Sequence, residues 1–121
     1  LGYVLPESAI HDNLAFILRA PDETIFIAEQ DQRAIAWIGI RNSVHLTTGP
    51  IGEISGLVVD NDHQRRGVGK QLVKKVMEWT RAKGLHTLRV RSNLVRAEAH
   101  AFYTGLGFST IKGQKVFEIK L

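Results

Sequence analysis

The sequence predicts a three-layer α/β fold built on a mixed sheet. Short β-rich segments separated by polar turns fill the first half of the chain, which is typical of antiparallel strands. A strand-helix-strand order follows, and such a crossover places two strands parallel. The chain has 121 residues, 44% of them hydrophobic, which suffices for one core. We therefore expect a single domain over residues 1–121, with the order β-β-β-β-α-β-α-β-β after an N-terminal helix.

The first half combines that helix with four short strands. Residues 7–19 carry apolar side chains at helical spacing after Pro6. Residues 24–29 and 34–41 predict an antiparallel hairpin across the polar residues 30–33. A third strand is predicted at residues 44–48, a turn at Gly49 and Pro50, and a fourth strand at residues 53–59. Gly56 favours a β-bulge in that fourth strand.

The second half predicts two helices and three strands. Residues 68–83 form an amphipathic helix by spacing, with Gly84 at its C-terminal cap. Residues 86–91 alternate as a strand, and a helix follows at residues 96–106 until Gly107. Residues 108–111 and 116–121 predict a closing hairpin around residues 112–114. Ligands favour the carboxyl ends of parallel strands, where residues 59–69 and Asn93 are expected.

The amino-acid composition excludes several classes of binding site and partner. Sixteen Lys and Arg against twelve Asp and Glu give a net charge of +4, which favours acidic ligands but is too small to indicate nucleic-acid binding. The chain lacks cysteine, which excludes disulfides, zinc-thiolate sites and a cysteine nucleophile. Its five histidines show no metal-ligand spacing, so we assign no metal. No apolar run reaches the ~20 residues that span a bilayer, so we expect a cytoplasmic protein without membrane partners.

The most informative segment lies between the fourth strand and the long helix. Gly67 and Gly69 let a ligand approach the backbone closely, and the first N–H groups of a helix have no intrahelical partners. Arg65 and Arg66 add positive charge where the helix dipole also favours an anion. The segment therefore predicts a site for a diphosphate.

Two common phosphate-binding loops do not fit this segment. A P-loop requires Gly and Ser or Thr at positions occupied by Gln64 and Gln71, and the dinucleotide fingerprint requires Gly in place of Leu72. The pattern that remains is Gln-x-x-Gly-x-Gly between a strand and a helix. A tight turn whose glycines serve packing alone is the alternative interpretation.

The Gln-x-x-Gly-x-Gly pattern and a second motif further along the chain together make the sequence resemble the GNAT family of N-acetyltransferases. The first matching residues are 53–60, and residues 64–69 then match its Q/R-x-x-G-x-G/A motif. Further on, Asn93 closes a strand and Phe-Tyr-x-x-x-Gly-Phe, ending at Phe108, closes a helix. The resemblance covers residues 25–121 and implies the acyl-CoA N-acyltransferase fold, a mostly antiparallel sheet with a parallel, splayed central pair. The family's usual first strand and helix would precede Leu1, so these elements are missing or the domain is short.

The resemblance also implies acetyl-CoA as the cofactor and a role for particular residues. Tyr103 would protonate the departing sulfur, and Glu53 would accept the amine proton through water. Packing of Tyr103 over the sheet and a merely solvated Glu53 are the alternatives. Contacts with the cofactor would come from a strand end, a loop, a helix start and one amide side chain: Leu57, Val58, Val59, Gln64, Arg65, Arg66, Gly67, Val68, Gly69, Lys70 and Asn93.

The expected activity is transfer of the acetyl group from acetyl-CoA to a primary amine. Direct attack in a ternary complex is expected because no cysteine can carry the acetyl group. The acceptor would be a small-molecule amine, such as an aminoglycoside or polyamine, or a peptide amino group. A CoA-binding module without turnover is the main alternative, and a nucleic-acid surface on the basic helix at residues 70–83 is another. We expect no nucleic-acid partner, and the sequence leaves a homodimer open.

Overall fold

The computed structural model describes residues 7–90, 97–111 and 117–121. The chain divides into two compact units, residues 1–90 and 91–121, and each is described by itself. The first unit contains α1 (Glu7–Arg19), β1 (Glu23–Gln30), β2 (Arg33–His45), β3 (Gly49–Val59), a 3-10 turn (Asn61–His63), α2 (Val68–Ala82) and β4 (Leu88–Val90). The second unit contains α3 (Ala97–Gly105). None of the helices in these described ranges has both the length and the apolar character needed to cross a membrane.

The four strands form one mixed sheet in the order β1-β2-β3-β4. β1 and β3 each pair antiparallel with β2, whereas β3 and β4 run parallel over Gly52–Leu88, Glu53–Arg89 and Ile54–Val90. This arrangement confirms the expected mixed sheet with a parallel pair. The predicted splay of that pair would lie beyond Val90, outside the described residues.

The hairpin between β2 and β3 corrects two sequence predictions. No separate third strand exists at residues 44–48, because β2 continues to His45 and its ladder with β3 extends to the pair His45–Gly49. The turn lies at residues 46–48 rather than at Gly49 and Pro50. Gly49 has a φ of 74°, the left-handed conformation that closes a three-residue hairpin loop and that glycine adopts readily.

The predicted bulge in β3 is confirmed. Gly39 pairs with Gly56 and Ile40 pairs with Ile54, so Ser55 is the extra residue on the bulged strand. One inserted residue changes the alternation of side chains between the two faces of a strand. Ile54 and Leu57 consequently lie on the same face of the sheet, opposite Ile40 and Ile38 respectively.

The core lies between this face of the sheet and α2. Ile38, Ile40, Val73 and Val76 are at most 1% exposed. Thr80, also buried, donates its hydroxyl to the Val76 carbonyl at 2.7 Å. As predicted, α2 ends at a glycine, since Gly84 has a φ of 77° and its N–H donates to the Arg81 carbonyl at 2.9 Å.

The predicted C-terminal hairpin is wrong for the residues that the structure describes. Residues 108–111 and 117–121 belong to no strand, and the turn at residues 112–114 lies outside the described ranges. Ile111, Phe117 and Ile119 are 64%, 88% and 79% exposed, so these apolar side chains gain little burial. A two-stranded hairpin without a packed face is marginal in water.

The packing of β2 against α2 gives a stability prediction. Ile38→Ala removes a fully buried side chain and should cost about 2–5 kcal/mol of unfolding free energy. Val44→Ala on the same strand is the control, since Val44 is 73% exposed and its truncation should change stability by less than about 0.5 kcal/mol. Urea unfolding measures both changes. Equal costs for the two variants would show that the core lies elsewhere.

Candidate acetyl donor site

The loop after β3 is held by backbone and side-chain hydrogen bonds. The Asp60 N–H donates to the Ile35 carbonyl at 2.8 Å, which fixes the strand end against β2. The Gln64 side-chain amide donates to the Val59 carbonyl and to Asn61 Oδ1, both at 3.1 Å. The glutamine of the Gln-x-x-Gly-x-Gly pattern therefore shapes the turn with its side chain.

Backbone conformation in this loop suits an anion. Arg65 and Gly67 have φ values of 64° and 82°, whereas the intervening Arg66 is not in the positive region. When left-handed and right-handed backbone conformations follow one another, successive N–H groups point into one concavity. Such a concavity is a known anion-binding arrangement. For a non-glycine residue such as Arg65, this left-handed conformation is less stable than the right-handed one by roughly 1–2 kcal/mol. Such strain is commonly retained where a functional loop requires it.

The start of α2 is open to an external ligand. Gly67 is its N-cap and supplies no capping side chain, and the first turn contains no acidic residue. The Gln71 N–H donates to the Gly67 carbonyl at 3.0 Å, so the N–H groups of Val68, Gly69 and Lys70 precede the first intrahelical bond. A Cβ at Gly67 would meet nothing within 4 Å. Free amides, the helix dipole and exposed basic side chains at this rim match the predicted diphosphate site.

The end of β3 offers a backbone edge next to this loop. Leu57, Val58 and Val59 are half-buried and pair on one side with β2. On the other side, the pairing of β3 with β4 ends at Ile54 within the described residues. The Val59 carbonyl already accepts from Gln64, so the remaining backbone groups of the three residues are the ones suited to a bound chain.

Glu53 lies within a row of alternating charges that crosses the sheet. In register order the row contains Glu23 on β1, Arg41 on β2, Glu53 on β3 and Arg89 on β4, and we call it the charged row. Glu53 is only 3% exposed, and Arg41 Nη2 lies 2.5 Å from its Oε1. An arginine partner stabilises a buried carboxylate that would otherwise be costly. Glu53 thus has a structural role, and its role as a proton acceptor stays a prediction.

Sequence reasoning missed Arg41 as the partner of Glu53. The two residues are directly opposite each other, which follows from the register of the hairpin. A three-residue loop at residues 46–48 would have placed them together, whereas the predicted extra strand and misplaced turn obscured that register.

In the second unit, the Phe-Tyr-x-x-x-Gly-Phe pattern forms the C-terminal cap of α3. The Phe108 N–H donates to the Tyr103 carbonyl and the Gly107 N–H to the Thr104 carbonyl, both at 3.1 Å. Gly107 has a φ of 97°, and the Phe108 and Tyr103 rings meet edge-on at 5.4 Å. These are the two hydrogen bonds and the apolar contact of a Schellman motif. The motif fixes the ring of Tyr103.

The hydroxyl of Tyr103 is suited to holding a proton. Burial raises the pKa of Tyr103 above its ordinary value. Phe102 also contacts the Tyr103 ring edge-on, with centroids 5.0 Å apart. The apolar surroundings disfavour the ionised phenolate, so the neutral donor form persists at physiological pH.

The remaining candidate residues are less informative. Asn93 lies outside the described residues, so its expected contact stays a prediction. Within the described ranges no group of three or more His, Cys, Asp or Glu residues could hold a metal ion. Arg65, Arg66 and Lys70 are exposed at the rim of the loop.

Comparisons with known proteins agree with this geometry. The model of the acetyltransferase (GNAT) family matches residues 3–108. Aminoglycoside N(6')-acetyltransferase type 1 of Stenotrophomonas maltophilia is 31% identical over 74 residues, which cover 61% of this chain and 48% of that protein. N-acetyltransferase 8 of Homo sapiens is 33% identical over 61 residues, which cover 50% of this chain and 26% of that protein. The chain thus spans half the length of these curated relatives or less.

The fold also matches a solved structure. AAC(6')-Iy in complex with the bisubstrate analogue CoA-S-monomethyl-acetylneamine superimposes with a TM-score of 0.88 at 23% identity, covering 100% of this chain and 85% of that one. This likeness confirms the predicted fold class. Because the family model matches most of the chain, the chain belongs to the acetyltransferase (GNAT) family.

Proposed function

We propose that this chain transfers the acetyl group of acetyl-CoA to a primary amine. The observation that carries the proposal is the N-terminus of α2, where Gly67 has a left-handed backbone and supplies no capping side chain, and where the first turn contains no acidic residue. A diphosphate is the chemical group that such a site accommodates. Membership of the acetyltransferase family identifies CoA as the diphosphate compound to expect.

The residues of the site fit each part of this cofactor. The amides of Gly67, Val68 and Gly69 would hold the pyrophosphate, and Arg65 and Arg66 would add charge at the rim. Backbone groups of Leu57, Val58 and Val59 would pair with the pantetheine arm, with Asn93 contacting one of its amides. When bound, acetyl-CoA supplies a thioester carbonyl that an amine can attack, so that a C–N bond forms and the C–S bond breaks.

Two side chains would transfer protons in this reaction. Tyr103 would give its hydroxyl proton to the departing sulfur, a role for which its buried, neutral form is suited. Glu53 would receive the proton lost by the amine through a water molecule. Arg41 would keep the Glu53 carboxylate oriented in the sheet.

For the acceptor, we propose a small-molecule amine, with a peptide amino group as the second choice. Support comes from the aminoglycoside acetyltransferase names of a relative and of a structural neighbour.

Release of the free CoA thiol with a panel of amines tests the activity. Steady turnover with at least one amine supports the transferase. Tight CoA binding without turnover on any amine would instead support a module that binds CoA as a sensor or structural ligand.

Matched alanine substitutions at the two ends of α2 test the diphosphate site. Gly67 and Gly84 both have positive φ, and both have open space where a Cβ would lie, so alanine imposes a similar backbone strain at each position. Gly67→Ala should weaken CoA binding about tenfold or more by calorimetry, because the strain and the new methyl disturb the amides that face the diphosphate. Gly84→Ala should leave the affinity within about twofold. Equal losses would mean that CoA binds elsewhere.

Removal of the Tyr103 hydroxyl tests the proton donor. Tyr103→Phe keeps both ring contacts and should lower kcat about 10²–10⁴-fold, with CoA affinity unchanged. Initial rates and calorimetry measure the two quantities. Phe102→Leu serves as the control for a change in the ring packing alone. A kcat in Tyr103→Phe close to that of the parent chain would rule out Tyr103 as the donor.

The raised pKa of Tyr103 predicts the shape of the pH profile. The rate should rise with pH while the acceptor amine loses its proton, because only the neutral amine attacks. The donor form of Tyr103 should persist up to and beyond the ordinary tyrosine pKa of about 10, so no decline from Tyr103 is expected below that pH. Measurements of kcat/KM against pH test this. A decline near neutral pH that disappears in Tyr103→Phe would contradict the assignment.

A further inference from the structure

The face of the sheet away from α2 carries an exposed tryptophan. Side chains alternate along β2, so Trp37 lies on the face opposite Ile38 and Ile40, which are 0% and 1% exposed beneath α2. Trp37 is 39% exposed and is flanked in the sheet by Ile27 on β1 and Val58 on β3. A large aromatic side chain therefore meets solvent in the middle strands of the sheet.

The indole lies against two glycines that face each other across the strands. Gly39 and Gly56 are register partners. A Cβ at Gly56 would lie 2.8 Å from Trp37 Cη2, and one at Gly39 would lie 3.8 Å from Trp37 Cζ3. The ring thus lies over Gly56 and close to Gly39. We call Trp37, Gly39 and Gly56 the indole shelf.

The charged row lies next to the indole shelf on the same face of the sheet. Gly39 and Arg41 follow Trp37 on the same face of β2, and Arg41 contacts Glu53. The Ser55 hydroxyl of the bulge lies directly over Gly39 and is exposed. An aromatic surface, a hydroxyl and the Arg41–Glu53 pair consequently follow one another on one side of the sheet.

Two glycines within neighbouring strands require a physical reason. Glycine in a strand interior weakens the strand and commonly marks a place where another group approaches closely. At Gly56 that group is the indole, which a Cβ would displace, whereas at Gly39 a Cβ would collide with the Ser55 hydroxyl. Glycine at position 56 therefore costs strand stability but leaves room for an exposed indole against the sheet.

We propose that the indole shelf binds the acceptor and makes the site selective for amines that carry a saturated, hydroxylated ring, such as an amino sugar. This inference rests on the proposed function and names its substrate class. An exposed indole packs against the C–H face of a rigid ring. The Ser55 hydroxyl offers a hydrogen bond to a ring hydroxyl. A flexible linear amine would lose more conformational freedom on the same surface.

Kinetics with a ring-bearing amine and a linear amine test the selectivity. Neamine and spermine carry equal numbers of amino groups, but only neamine contains rings. Trp37→Leu should raise KM for neamine about tenfold, leave kcat within about twofold and leave KM for spermine within about twofold. Equal effects on both amines, or a change confined to kcat, would overturn the proposal.

A second variant and a binding measurement cover the case in which Trp37→Leu fails to fold. Gly56→Ala keeps the tryptophan but displaces its ring, so it should raise KM for neamine selectively. The chain has two tryptophans, so Trp79→Phe leaves Trp37 as the sole source of tryptophan fluorescence. With CoA present, neamine should change the fluorescence of this variant saturably, and spermine should change it much less.

These measurements separate the two proposals. Turnover of neamine without any fluorescence change at Trp37 would overturn the shelf and leave the transferase intact. A saturable fluorescence change with neamine, but no CoA release with any amine, would support the shelf and contradict the proposed transfer.

Discussion

Burial of one apolar face of the sheet beneath α2 is the constraint on which the rest of the structure depends. Ile38 and Ile40 from β2 meet Val73 and Val76 from α2 in fully buried packing, each worth roughly 1.5–3 kcal/mol. This packing fixes the direction of α2 and therefore the position of its N-terminus next to the end of β3. The amides that we propose to bind the diphosphate are thus held by the core rather than by the loop itself, and Arg65 can retain a left-handed backbone that a free loop would relax.

β3 connects the core to every part of the candidate site in the first unit. Its inserted Ser55 lets Ile54 and Leu57 share the buried face. On the opposite face, the same strand carries Glu53, held by Arg41, and Gly56, which supports the indole. The bulge thereby keeps Ile54 and Leu57 on the buried face and Glu53 and Gly56 together on the opposite face.

Local patterns predicted much of this structure, and pairing between strands accounts for what they missed. The spacing of residues 68–83, Gly84 and the bulge near Gly56 reflect conformations that individual residues favour, and all three were found. The extra strand at residues 44–48 was wrong because its ends depend on a ladder with β3, which the local sequence does not contain. The Arg41–Glu53 contact was missed for the same reason. The C-terminal segments alternate like strands, yet the described residues provide no partner strand for them.

The central claim is that the diphosphate of CoA binds at the N-terminus of α2. The amide resonances of the glycines at the two ends of this helix test it most directly. We expect acetyl-CoA, added to the ¹⁵N-labelled full chain, to shift the resonances of Gly67, Val68 and Gly69 saturably, together with those of Leu57 to Val59. The resonance of Gly84, at the opposite end of the same helix, should stay in place. Shifts confined to the exposed basic residues of α2, such as Lys74, Lys75 and Arg81, would contradict the account, because they would place the phosphates on the side of the helix rather than at its N-terminus.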